Sequence, residues 1–130
     1  MTSPTIQLEP DPRGPVVVAL SGEHDLSSAE ALRRSLDEAA GSPGMVVDLE
    51  MAEFVDSSIL GVLVQAFRDA CANGRGFVLV MGDQTPAPVR RVVSLTRLDQ
   101  VLPTLPDRQT ALAAALTPAA AVEVDAVNDE

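Results

Sequence analysis

Three short apolar runs, "VVVAL" at 16–20, "MVVDL" at 45–49 and "FVLVM" at 77–81, constrain this chain more than anything else in it. They are dominated by branched apolar residues and show almost no polar alternation, the mark of strands covered on both faces. Two segments with helical spacing separate them. In "GEHDLSSAEALRRSLDEAAG", residues 22–41, Ala29, Leu32, Leu36 and Ala40 share a face. Ser27 and Glu30 make an S-x-x-E capping box there, and Gly41 offers a stop. From 57 to 73, Leu60, Leu63, Val64, Phe67 and Cys71 line one side, ending at Asn73-Gly74. Strand, helix, strand, helix, strand requires parallel crossovers, which are almost always right-handed.

The flanks complete the pattern. "TIQLE", 5–9, alternates as a half-buried edge strand does, and "PDPRGP", 10–15, supplies a hairpin turn. After the third buried run, 82–88 reads as a loop and "VRRVVSL", 89–95, as a short helix. "QVLPTL", 100–105, offers a short edge strand limited by Pro103, and "RQTALAAAL", 108–116, a last helix. The expectation is α/β: a single domain over 1–116 with a central, mostly parallel mixed sheet of four to five strands. It starts with a hairpin and is packed with about four helices. Residues 117–130, with four acids and no base, read as a disordered tail.

Composition narrows the function. No apolar run approaches the roughly 18 residues of a membrane span, and "MTSPTIQLEP" lacks the pattern of a signal peptide. The lone Cys71 cannot form an internal disulfide and falls on the inward helical face as a small apolar residue, so a cytoplasmic protein is expected. Net charge is −10, and Trp and Tyr are absent. The chain thus has neither a basic footprint for nucleic acid nor aromatic platforms for bases. One Cys and one His do not make a zinc site; no metal or cofactor is expected.

In open α/β sheets, ligands and partners gather beyond the carboxyl ends of the strands. Loops at 21–26, 50–56 and 82–86 are expected there, carrying Glu23, His24 and Asp25, then Glu53 and Asp56 just before Ser57 and Ser58. Asp56 or Ser57 is a natural N-cap for the helix that follows. A phosphate on a hydroxyl at this position would meet free N–H groups and the positive end of the helix dipole. It would change the surface charge without unfolding the domain. Ile59, Val62 and Ala66 flank the main helical stripe, either beneath a neighbouring helix or as an exposed patch for a partner. A nucleophilic Ser57 would need a base, and His24 is the only histidine; with no G-x-S-x-G motif, catalysis is not expected.

"GEHDLSSAEALRRSL", "VVDLEMAEFVDSSILGVLVQA", "GFVLVMG" and "VRRVVSLTRLDQVLP" occur in an order and spacing that resemble the STAS domain, in particular the bacterial anti-anti-sigma factors, or anti-sigma factor antagonists. The resemblance spans about 5–116, and "VDSSxLG" after an apolar strand is its most specific element. It implies a small, cytoplasmic, non-enzymatic switch. The unphosphorylated form would bind an anti-sigma factor that is also a GHKL-type serine kinase, so releasing a sigma factor. Phosphorylation of the first motif serine, here Ser57, would end binding, and a phosphatase would reset it. Asp56 matches the motif aspartate and Asp25 that of "GExD"; with Ser58, Ile59 and Val62 they are the expected partner-binding residues. The alternative within the family is a sensor or scaffold subunit that is never phosphorylated. A monomer is expected. The chain departs from the family at Ile59, often Gly; at His24, often small and apolar; and at Arg97, commonly Gly.

Overall fold

The computed structural model describes residues 2–120. The elements in chain order are β1 (Thr5–Pro10), β2 (Val16–His24), α1 (Leu26–Ala39), β3 (Gly44–Val55), α2 (Ser57–Ala72), β4 (Gly76–Val80), α3 (Ala87–Leu95), α4 (Leu98–Val101), β5 (Thr104–Leu105) and α5 (Arg108–Ala114). Five strands form one sheet in the order β1-β2-β3-β4-β5. β1 runs antiparallel to β2, and all other neighbours are parallel. The expected hairpin and crossovers are present.

Successive side chains of a strand point to opposite faces, and here both faces are covered. Val18, Leu20, Val47, Leu49, Phe77 and Leu79 pack against apolar residues of α1 to α4, including Leu32, Leu63, Phe67, Val89 and Leu98. Val17, Val46, Val78 and Val80 point the other way, onto Ala111, Leu112 and Ala115 at α5 and its end. That two-sided burial is why the strand runs are so uniformly apolar. The end of α5 lies almost on the sheet: a Cβ on Gly76 would come within 2.0 Å of the Ala115 carbonyl oxygen. Arg108 fastens the other end, its Nε donating to Asp48 Oδ2 at 2.6 Å and its Nη1 to Glu9 Oε1 at 2.8 Å.

Several local expectations are corrected. Residues 21–24 and 50–55, expected as loops, are strand. β4 leaves β3 at the Asp48↔Val80 pair, while β2 and β3 stay paired to His24↔Val55. Two register shifts along this extension realign the strands, and Leu49, Ala52 and Val55 enter the core at intervals of three rather than two. The capping box of α1 is Asp25 with Ser28, not Ser27 with Glu30: Asp25 takes the Ser27 N–H, and the Ser28 hydroxyl takes the Asp25 N–H. α4 was not foreseen; it follows Arg97, whose φ of 58° is left-handed without being glycine. Within 117–130, residues 117–120 are described, and the Ala119 N–H donates to the Arg75 carbonyl at 2.7 Å. The expectation of disorder over 121–130 lies outside the described residues.

Candidate functional site

β2 and β3 end together, His24 paired with Val55, so the next residue on each, Asp25 and Asp56, lies at the same rim of the sheet. The sequence placed these carboxylates 31 positions apart (25 to 56) and expected them to meet; strand pairing brings them side by side.

Both aspartates are N-caps built alike. Asp56 Oδ1 accepts from the Ser58 N–H at 3.0 Å, the Ile59 N–H at 3.2 Å and the Ser58 hydroxyl at 2.5 Å. Asp25 Oδ1 accepts from the Ser27 N–H at 2.9 Å and the Ser27 hydroxyl at 2.6 Å. The Ser27 hydroxyl, and then its N–H, hold the Asp25 carboxyl below the usual carboxylate range. The choice left open between Asp56 and Ser57 as cap is thereby decided for Asp56. An aspartate between an extended strand and a helix turns its oxygen onto the free N–H groups of the first turn.

Twin caps leave the first residue of each helix outermost. In α1 this is Leu26, 75% exposed. In α2 it is Ser57, also exposed, whose hydroxyl bonds to no described residue. The two serines therefore differ in kind: the Ser58 hydroxyl is committed to Asp56, and that of Ser57 is uncommitted.

Ile59 and Val62 are corrected as surface contacts. They are 0% and 7% exposed and belong to the core beneath the helices. Two flanks of α2 are buried because α1 covers the side that faces away from the sheet's own stripe. Exposed apolar side chains do occur at this rim, at Leu26, at Phe54, which pairs with Glu23, and at Met51. Sequence reasoning missed them. All three sit in stretches expected to be loops, Leu26 in 21–26 and Met51 and Phe54 in 50–56.

His24 is also corrected: it is not a loop residue but the fully buried last residue of β2. Its Nε2 faces the carbonyls of Ser21 at 3.0 Å and Thr5 at 3.3 Å, so that nitrogen carries a proton. Nδ1 lies 3.1 Å from the Ser28 hydroxyl. Both nitrogens are occupied in tying β1, β2 and α1 together, and neither is presented to Ser57. Cys71 is half-buried, and desolvation raises its thiol above the ordinary range, which suits a packing residue.

The rim is floored by Gly22, with φ at +82° and the Ser3 carbonyl oxygen 2.2 Å from where a Cβ would be. The segment before β1 crosses there, the Glu23 N–H donating to the Thr2 carbonyl and the Thr2 hydroxyl to Glu53. None of the helices among the described residues is long and apolar enough to cross a membrane.

Comparison with known proteins agrees with this architecture. Residues 9–107 match the model of the family described as "Mlab, STAS domain". The chain is 31% identical over 103 residues to the anti-sigma F factor antagonist of Paenibacillus polymyxa, covering 77% of this chain and 86% of that one. The crystal structure of an anti-sigma factor antagonist from Mycobacterium paratuberculosis superposes with a TM-score of 0.74 at 33% identity, over 87% of this chain and 94% of that one. Phosphorylated SpoIIAA, a Bacillus cell fate determinant, shares the fold with a TM-score of 0.58 at 24% identity, over 84% of this chain and 97% of that one. By its motif, its sheet and its match over most of its length, the chain belongs to the STAS domain family.

Proposed function

We propose that this protein is an anti-sigma factor antagonist that binds an anti-sigma factor serine kinase while unphosphorylated and is released when Ser57 is phosphorylated. The observation that carries this reading is the unequal pair of serines: Ser57 is exposed and uncommitted, whereas the Ser58 hydroxyl donates to Asp56. The names of the Paenibacillus and Mycobacterium relatives support it. SpoIIAA, which has the same fold, is known in a phosphorylated form.

In this reading Asp25, Asp56 and Ser58 shape the rim that the kinase approaches, and Ile59 and Val62 support it from inside. Exposed Leu26 and Phe54 give the partner an apolar contact. A phosphate at Ser57 adds about −1.5 to −2 charges beside those apolar groups and two carboxylates. Desolvating it there without a new partner costs free energy; roughly 3 kcal/mol would weaken binding about a hundredfold. A phosphatase then resets the switch. The protein acts by binding, in the cytoplasm, and touches nucleic acid only through its partner.

The test is incubation with ATP and each GHKL-type serine kinase of the source organism, followed by phosphosite mapping. Phosphate is expected at Ser57 and on no other serine. Ser57→Ala should bind the same kinase and stay unmodified, and Ser57→Asp should bind weakly. Absence of phosphate from Ser57 with every kinase would move the protein to the sensor or scaffold branch of the family.

A further inference from the structure

Gly61 stands inside α2, where glycine weakens a helix, yet a Cβ built on it meets nothing within 4 Å. Neither backbone conformation nor packing within the described chain requires a glycine here. The space above it is the floor of a groove of about 390 Å³ between α1 and α2. Along α2 the groove runs from Ser58 past Gly61 and Gln65 to Asp69, and Asp37 faces it from α1. One end therefore opens at the serine rim, since Ser58 belongs to both. At the other end, Asp37 and Asp69 are exposed carboxylates on opposing helices; Asp69 Oδ1 accepts from the Gln65 side-chain amide at 3.0 Å. Arg75 lines the adjoining cavity with both, and no arginine among the described residues forms an ion pair with either. Arg33, on the same wall, is paired with Glu30.

We propose that this groove receives a basic segment of the kinase, which approaches the backbone of Gly61 closely and sets a cationic side chain between Asp37 and Asp69. This rests on the function proposed above and names the second half of the same interface. The charge of the groove selects the occupant. A second copy of a chain with net charge −10 is repelled, as is the chain's own segment from 123 to 130, which carries four acids and no base. A partner lying along the groove reaches Ser57 from the side, so phosphate at the rim and contacts in the groove act on one bound state. The missing side chain is the cost of that close approach, and α2 bears it in stability.

Two substitutions at one position separate folding from docking. Gly61→Ala fills open space with a methyl and removes the helix penalty, so it should raise Tm by about 2–4 °C. Gly61→Leu should fold equally well, because the groove is open, and should bind the kinase at least about tenfold more weakly. The probe is the kinase found to phosphorylate Ser57, titrated against the full-length chain by calorimetry. The double variant Asp37→Asn, Asp69→Asn should bind roughly three- to tenfold more weakly, with a shallower dependence on salt. Wild-type affinity in Gly61→Leu, with Ser57 still phosphorylated, overturns the groove and leaves the switch standing. Failure of the wild-type chain to bind any such kinase overturns the switch and the groove with it. Self-association of the chain alone, seen by sedimentation and lost in Gly61→Leu, assigns the groove to a second copy and also overturns the proposal.

Discussion

At the scale of single residues, the site depends on two aspartates whose oxygens are already in use. Asp56 Oδ1 satisfies two N–H groups of α2 and orients Ser58. Asp56→Ala should cost about 1 kcal/mol and lower Tm by roughly 3–6 °C, as a thermal melt will show. Asp25 has a definite pH signature. Its folded carboxyl is held below the ordinary range by Ser27, so the unfolded chain binds the proton more readily. Its contribution is present above the ordinary carboxylate range and is lost as pH falls through the lowered folded value. Asp25→Asn should therefore flatten the acid limb of a Tm-against-pH curve and leave the slope above neutrality unchanged. Arg97 holds a left-handed conformation that costs a side-chain-bearing residue roughly 1–2 kcal/mol. Arg97→Gly should stabilise by about 1 kcal/mol in urea unfolding, because glycine carries no Cβ to clash.

At the scale of elements, α5 packs on the opposite face of the sheet from α1 to α4, and a charge cluster helps to hold it there. The Asp48 side chain is 6% exposed and takes Arg108 on one oxygen and the Glu50 N–H on the other. Arg108→Ala leaves that carboxylate buried without its cation, a loss on the order of 3 kcal/mol. Adding Asp48→Asn should recover part of it, and a double-mutant cycle of unfolding free energies measures the coupling. α2 shows the opposite economy, with both flanks packed. Ile59, wholly buried, belongs to folding rather than recognition. Ile59→Ala should destabilise by about 2–4 kcal/mol, detected by the urea midpoint, with kinase affinity unchanged in the fraction that remains folded.

For the whole molecule, the proposed switch needs a fold indifferent to its own modification. Two covered sheet faces make the scaffold, and the serine rim lies beyond them, where β2 and β3 outrun β4. A negative group at the first position of α2 meets the positive end of the helix dipole, worth roughly 0.3–1 kcal/mol in its favour. Ser57→Asp should thus melt at or slightly above the wild-type temperature while losing its partner. A fall in Tm comparable to that of Asp56→Ala would show that the serine supports the fold instead.

Much of this was legible in the chain before any coordinates. Continuous β-branched runs separated by helical stripes leave few arrangements, since an apolar strand needs cover on both sides and parallel crossovers have one hand. Aspartate before two serines after a buried strand already marked a helix start, because side-chain oxygens there answer local, unpaired N–H groups. Local rules could not tell Ser57 from Ser58, for both are small hydroxyls; the direction each takes is set by the oxygen of Asp56. They also could not reveal that His24 is buried, that Ile59 and Val62 are both enclosed in the core, or that β3 continues to Val55, since each depends on a neighbour distant in sequence. The order of apolar and polar residues determined the scaffold and the place of the site. Which side chains remain open to a partner was decided by tertiary packing alone, because exposure is a property of what lies alongside and not of the residue itself.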